Sequence, residues 1–178
     1  MKGDLKMILK MLGGVLIMIS SCVLGVYYSF KTEYRINDLL EMKKALTMLI
    51  SEIEFNLSPL AEAMGNISSK AGVPINRIFS EFSKKLGSDG SSAFEVWRSV
   101  WKEQADFTYF AHEDIETFIS FGQSLGFLDR KQQNNNIKIA LSYIENKIPE
   151  LLEKSKSNKK MCRSLGIFGG AAVMVILF

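Results

Sequence analysis

Apolar residues recur along most of this chain at three- and four-residue spacings, and no stretch shows the sustained alternation of a β-strand. Such spacing places apolar side chains on one face of a helix. One stripe lies within residues 31–55, and a second follows Asp129. They consist of Ile36, Leu39, Met42, Leu46, Leu49, Ile50 and Ile53, and of Ile137, Ala140, Leu141, Ile144 and Ile148. The pattern predicts an all-α fold, an antiparallel bundle of about six helices over residues 31–160.

The stretch 121–144 predicts a helical hairpin. An apolar helical face ends shortly before Gly126, and a new helical pattern starts after Asp129. The carboxylate of Asp129 is predicted to cap the new helix, and Gln132 is placed to complete a capping box. Because so short a connection forces neighbouring helices to pack against each other, we expect this hairpin to nucleate the bundle.

Capping signals mark other helix ends. Ser58 is predicted to cap a helix whose first position is Pro59, where the missing N–H costs nothing. Ser92 and Glu95 predict a capping box at the start of another helix. Pro149 removes one backbone hydrogen bond from the last helical pattern, so we expect a kink or a join there.

Two apolar stripes are predicted to lie in the core, and each has an alternative in which it contacts another chain. Trp97 and Trp101 recur on one apolar stripe and are predicted to lie in the core, with an exposed partner-binding face as the alternative. The helix over 31–55 is predicted to pack into its own bundle. A coiled-coil homodimer is its alternative, although the run barely exceeds three heptads.

Both ends of the chain are apolar. Residues 11–30 carry no charge, and as a helix they would span about 30 Å, the thickness of a hydrocarbon core. Residues 161–178 predict a second transmembrane helix, with Arg163 reaching the headgroups. Residues 1–10 are then a short extracytoplasmic tail. The alternative is a lipoprotein signal with Cys22 as the lipidated residue, which the apolar residues after Cys22 disfavour.

Basic residues indicate the orientation of the two spans. They flank the middle segment on both sides and are fewer in the N-terminal tail, so the positive-inside rule predicts a cytoplasmic central domain with both ends facing outward. The flanking basic residues are Lys31, Arg35, Lys43 and Lys44, and Lys154, Lys156, Lys159, Lys160 and Arg163.

Few residues have the spacing of a chemical site. The net charge is +3, and no basic block alternates with aromatics, so nucleic-acid binding is not expected. His112 is the only histidine and is predicted to be a solvated residue at a helix start. Two cysteines provide neither a metal site nor a disulfide framework. The sequence therefore predicts a protein that is not an enzyme, with no catalytic residue, cofactor, metal or small-molecule substrate.

Other polar runs are interpreted as surface. The acidic pairs Glu113/Asp114 and Glu52/Glu54 are predicted to be solvent faces and helix N-terminal charges. The run 134–136, three asparagines, is predicted to be exposed. The glycine-containing turn 87–91 lacks the Lys-Ser/Thr pair of a phosphate-binding loop.

Two groups of short motifs are similar to those of a known family. They are Phe121-Gly122, Leu125-Gly126, Asp129-Arg130, Gln133 and Ile137, and Glu52-Ile53 followed by Ser58-Pro59-Leu60. Together with an apolar segment at each end, they make the chain resemble the stage III sporulation protein AB family of endospore-forming bacteria. That family looks like a membrane-tethered relative of the inner-membrane platform protein of type II secretion and type IV pilus machines. Phe127-Leu128 depart from the family, which usually has a small polar residue before Asp129.

The resemblance implies a scaffold subunit of the channel between mother cell and forespore, in the outer forespore membrane on the mother-cell side. It implies two kinds of partner, a cytoplasmic secretion-type ATPase and the ring-forming membrane components of the channel. The candidate partner-binding residues are Glu52, Asp129, Arg130 and Gln133. Asp129 and the glycines Gly122 and Gly126 are expected to be mainly architectural. The alternative is a general membrane-anchored helical signalling or interaction module, or a lipoprotein.

Overall fold

A computed structural model describes residues 2–56, 58–87, 90–126 and 130–177, with side chains placed at 13, 14, 20, 27, 30–54, 58–87, 90–126 and 131–157. The described part contains six α-helices and no strand. These are α1 (Lys2–Ser51), α2 (Leu60–Ser68), α3 (Ile75–Lys85), α4 (Ala93–Gln104), α5 (His112–Phe121) and α6 (Arg130–Leu177). A π-helical turn (Glu52–Asn56) follows α1, and 3-10 turns follow α4 (Ala105–Phe107) and α5 (Gly122–Ser124). The prediction of an all-helical fold is confirmed.

The chain divides into two compact units. The terminal unit comprises Met1–Glu33 and Leu151–Phe178, and the helical unit comprises Tyr34–Glu150. Among the residues that the structure describes, none of the helices combines the length and the hydropathy that a bilayer-crossing segment needs. Most side chains of the predicted spans, 11–30 and 161–178, lie outside the described residues, as does that of Cys22. Both spans therefore stay predictions.

The predicted stripe of α1 forms one side of the core. Leu39, Met42, Leu46 and Leu49 are fully buried, and Ile36 and Ile53 nearly so. Each fully buried side chain of this size stabilises the fold by about 1.5–3 kcal/mol relative to an exposed one. The hydrophobic stripe therefore holds α1 against the rest of the helical unit.

Trp97 of α4 lies at the centre of an aromatic core. Its ring contacts four others edge to face, with centroids 5.4–5.9 Å apart: Phe79, Phe82, Trp101 and Phe121. The indole Nε1 donates a hydrogen bond of 2.7 Å to the carbonyl oxygen of Phe118. Trp97 and Trp101 are both fully buried, so the prediction that they belong to the core is confirmed.

The helix ends follow their sequence signals in part. Ser92 and Glu95 form the predicted capping box at the start of α4. Ser58 does not cap α2, because the extended backbone of Pro59 places Pro59 itself at the cap and the helix starts at Leu60. Pro149 lies inside α6, whose helical backbone continues past it. It is exposed, on the solvent side of the helix.

Two glycines shape the hairpin between α5 and α6. A Cβ atom on Gly122 would overlap the ring of Trp97, including its Cγ at 2.7 Å. Gly126 has a φ of +88°, the left-handed conformation that favours glycine. The hairpin therefore needs Gly122 for its approach to the core and Gly126 for its turn.

We predict that Gly122→Ala destabilises the protein by about 3 kcal/mol, because the methyl group must displace a fully buried tryptophan. Urea unfolding of the purified full-length protein, followed by circular dichroism at 222 nm, measures this loss. Gln123→Ala, which truncates an exposed neighbour in the same turn, is the control and should be nearly neutral. Equal stability of the two variants would contradict the close-approach role of Gly122.

Candidate partner-binding site

Asp114 is a fully buried carboxylate, at 0% exposure, near the start of α5. It accepts hydrogen bonds from Arg35 Nε at 2.7 Å and Nη2 at 2.9 Å, and from Tyr143 Oη at 2.6 Å. The backbone N–H of Ala111 adds a fourth, at 2.7 Å. Since a buried charge is tolerated only when it is paired and fully hydrogen-bonded, this arrangement lets one carboxylate join α1, α5 and α6.

Glu113 extends this group to a second cation. Its Oε1 lies 2.8 Å from both Arg35 Nη2 and Lys147 Nζ. The hydrogen bonds from Lys147 and Arg35 hold the pKa of Glu113 below its usual range. Burial favours a lower pKa for the Arg35 guanidinium, but the bonds to Asp114 and Glu113 outweigh it and raise that pKa. We call these five residues, Arg35, Glu113, Asp114, Tyr143 and Lys147, the base cluster.

The base cluster corrects one sequence-based interpretation. Glu113 and Asp114 are predicted to be solvent faces and helix N-terminal charges. Both lie in the first turn of α5, as predicted, but Asp114 is buried and does not face solvent. Its capping bond to Ala111 is local and has a sequence signal, because acids are common in the first turn of a helix. The pairing of Asp114 with Arg35 and Tyr143 has no such local sequence signal. Arg35 lies 79 positions from Asp114 in the chain, and Tyr143 lies 29 positions from it.

Two further carboxylates of α1 hold loops. Asp38 Oδ2 accepts a 2.7 Å hydrogen bond from the backbone N–H of Tyr109, and Glu41 Oε2 accepts one of the same length from Gly72. Asp38 is buried, and burial raises its pKa against the opposing effect of the Tyr109 hydrogen bond. Both segments are therefore fixed to α1 through their backbone.

The motif residues around Glu52 and around Gln133 meet at the other end of α1. Glu52 is 6% exposed, and its Oε2 accepts a 3.2 Å hydrogen bond from Ser58 Oγ. Glu54 Oε1 accepts one of 2.6 Å from Asn134 Nδ2, in the second turn of α6. We call Glu52, Glu54, Ser58, Gln133 and Asn134 the polar pole. It lies about 25 Å along α1 from Arg35.

The polar pole overturns two predictions. Glu52 is buried and bonded rather than part of a solvent face, because it continues the helical face of the buried residues Ala45 and Leu49. Asn134 is buried rather than exposed, whereas Asn135 faces solvent as predicted. The three asparagines lie at the beginning of α6, so each one points in a different direction around the helix. Asn134 lies on the face that packs against the helical unit, and Asn135 lies on the solvent side.

The other motif residues have the following places. Phe121 and Leu125 are buried, Leu60 is half-buried and Pro59 is exposed. Gln133 is half-buried, and Arg130 is the first residue of α6. Asp129, with its predicted cap, and the side chain of Arg130 lie outside the described residues. Of the predicted partner-binding residues, the structure places Glu52 and Gln133 at the polar pole.

A groove of about 420 Å³ runs beside the polar pole between α5 and α6. Its α6 wall consists of Gln132, Asn136 and Ile139, one helical stripe, and Gln123 lies opposite. Ile139 is 65% exposed, an unusual position for a large apolar side chain. Amide groups beside an exposed isoleucine suit a protein contact better than a chemical reaction.

The described side chains offer little for catalysis. No three of the histidine, cysteine, aspartate and glutamate side chains in this part of the chain are grouped to hold a metal ion. The His112 side chain is 89% exposed, which confirms its interpretation as a solvated residue at a helix start. Its Nε2 lies 4.0 Å from Oε1 of Glu116.

The described elements define an all-α protein whose helical unit carries a polar pole and an exposed groove. The chain belongs to the stage III sporulation protein AB family, whose model matches residues 10–178. It is 29% identical to stage III sporulation protein AB of Bacillus subtilis (strain 168) over 169 residues, 95% of this chain and 99% of the relative. A solved structure of a stage III sporulation protein AB matches with a TM-score of 0.64 at 28% identity, covering 69% of this chain and 97% of that one.

We predict that Asp114→Asn destabilises the protein by about 3 kcal/mol, because it leaves the guanidinium of Arg35 without its main counter-charge. Tyr143→Phe should cost about 1 kcal/mol, because it removes a single neutral donor. Urea unfolding of both variants and of the double variant measures the coupling between them. Additive losses would show that Asp114 and Tyr143 do not act through one shared bond.

The buried Asp38 makes a separate pH-dependent contribution. Its raised native pKa means that the native state binds more protons than the unfolded state above the ordinary value of 3.8. The contribution of Asp38 to the free energy of unfolding is therefore highest in acid, and it falls as the pH rises through the raised pKa. Asp38→Asn, which keeps the acceptor for Tyr109, should gain stability relative to the wild type as the pH rises from about 4 to about 7.

Unfolding curves at both pH values test this sign, with the exposed Asp106→Asn as the control for a change in net charge alone. The prediction would be contradicted if the free energy of unfolding of Asp38→Asn fell relative to that of the wild type as the pH rises.

Proposed function

We propose that this protein is a non-enzymatic scaffold subunit of the channel between mother cell and forespore. In this proposal it couples a cytoplasmic secretion-type ATPase to the ring-forming components in the membrane. Membership in the stage III sporulation protein AB family supports a place in a sporulation complex. The platform role extends this by analogy with secretion machines.

The observation that carries the proposal is the meeting, at the polar pole, of two stretches that contain family-like motif residues. Glu54, two residues after the motif residue Glu52, accepts a hydrogen bond from Asn134, the residue that follows the motif residue Gln133. The base cluster lies at the other end of the helical unit, near residues 34 and 150, where the chain passes into the terminal unit. A partner at the pole would therefore engage the end of the helical unit opposite the base cluster.

A force on the polar pole has a defined route through the helical unit. Glu54 and Asn134 join the end of α1 to the beginning of α6. The base cluster joins the same two helices to α5 at Arg35, Asp114 and Tyr143. Because α1 and α6 are fastened at both levels, we infer that they move together when the pole is displaced.

Charge and apolar length support the orientation of the proposed spans, and the family resemblance supports the forespore membrane. Two transmembrane helices, 11–30 and 161–178, would hold the central domain on the cytoplasmic side of the outer forespore membrane. ATP is present on that side, as a secretion-type ATPase requires. The helical unit would thus be the soluble part that the ATPase meets.

The test is direct binding of the purified full-length protein, in nanodiscs, to the purified secretion-type ATPase of the same bacterium. We predict saturable binding and a changed rate of ATP hydrolysis. Glu54→Lys and Ile139→Asp, at the polar pole and its groove, should each weaken binding about tenfold, or about 1.4 kcal/mol. Biolayer interferometry gives the affinities.

Lys102→Glu, an exposed residue of α4 outside the pole and the groove, is the matched control. It should bind like the wild type. Absence of binding by the folded wild-type protein would overturn the ATPase assignment. Binding that both pole variants retain would overturn the assignment of the pole.

A further inference from the structure

A second groove, of about 450 Å³, lies on another part of the helical unit. The α3 residues Arg77, Ser80 and Lys84 line one wall, and Gln104 and Phe107 line the opposite wall at the end of α4. None of its lining residues belongs to the polar pole or to the base cluster. The groove is therefore a different surface from the two sites described above.

The segments beside this groove are fixed to α1. The loop before α3 is held where Glu41 accepts the N–H of Gly72, and the corner after Phe107 where Asp38 accepts the N–H of Tyr109. Thr108 Oγ1 closes the corner with a 2.7 Å hydrogen bond to the carbonyl of Ala105. A surface held in place this way loses little conformational entropy when it binds a partner.

An aromatic side chain is displayed on the groove wall. Phe107 is 63% exposed, and Val73, on the loop before α3, is exposed to a similar extent. Tyr109, at the same corner as Phe107, stacks on the half-exposed Tyr34 with centroids 4.7 Å apart. Large apolar side chains gathered on fixed loops are typical of protein-binding surfaces.

The charged side chains that line the groove are Arg77, Lys84 and Glu81. Lys84 Nζ lies 3.0 Å from Glu81 Oε1, so these two charges offset each other. Arg77 is exposed and makes no ion pair with any side chain that the structure describes. Its planar guanidinium is thus available for two parallel hydrogen bonds to a carboxylate.

We propose that this groove binds an acidic segment of a partner protein, with a carboxylate on Arg77 and an apolar side chain against Phe107. A concave surface with one unpaired cation beside an aromatic ring matches such a segment. An anionic bilayer is flat on this scale and is bound by clusters of several cations. The proposal is independent of the ATPase assignment, because no residue of the polar pole takes part in it.

Photocrosslinking in sporulating cells tests the proposal, with the full-length protein carrying p-benzoyl-phenylalanine in place of Phe107. We expect one protein adduct whose crosslinked peptide, mapped by mass spectrometry, lies in a segment rich in Asp and Glu. In an Arg77→Glu background the adduct yield should fall about fivefold or more, because the charge complementarity is reversed. A synthetic peptide of the mapped segment should bind more tightly than a twin whose carboxylates are amides.

Arg98→Glu makes the same charge change at an exposed position of α4 that does not line the groove, and it should leave the adduct unchanged. Circular dichroism melting of both variants confirms that they fold. Adducts to lipid alone, no protein adduct, or a protein adduct equally strong in the Arg77→Glu background would each overturn the proposal.

Discussion

The buried carboxylate of Asp114 is the constraint on which the arrangement of the helical unit depends. Its four hydrogen bonds come from α1, α6 and the start of its own helix. Separating α1 from α5 would leave a buried charge unpaired, and separating α6 from α5 would remove one of its hydrogen bonds. Losing one partner of such a group costs more than the bond is worth in isolation. The interaction therefore specifies how the three helices meet, beyond any stability that it adds.

The same helix α5 connects this polar constraint to the aromatic core. Phe118, one helical turn after Asp114, stacks on Trp101 and accepts the indole hydrogen bond of Trp97 through its carbonyl. Tyr143 contacts the ring of Phe118 while its hydroxyl binds Asp114. The hydrogen bonds that hold the start of α5 therefore also determine how closely Gly122, at the end of α5, approaches the ring of Trp97. Polar and apolar packing in this unit are therefore parts of one arrangement.

Local patterns predicted most of the fold, because helices, caps and apolar stripes are encoded within a few residues. The burial of Trp97 and the capping box at Ser92 both follow from such short-range signals. The errors at Asp114, Glu52 and Asn134 share one cause. Each was interpreted as a surface residue from its polarity, but each has a hydrogen-bond partner on another helix or beyond a break in its own. A single sequence carries no local signal for such a pair.

The distribution of polar residues has a functional consequence. Three carboxylates along α1 and the turn that follows it serve two purposes: Asp38 and Glu41 hold loops, and Glu52 closes the polar pole. Because these acids bond to protein donors inside the unit, they are not available to partners. The groove beside Ile139 and the groove beside Phe107 are lined by other side chains. The first carries amide groups and the second an exposed arginine, so the two grooves differ in the chemistry that they present.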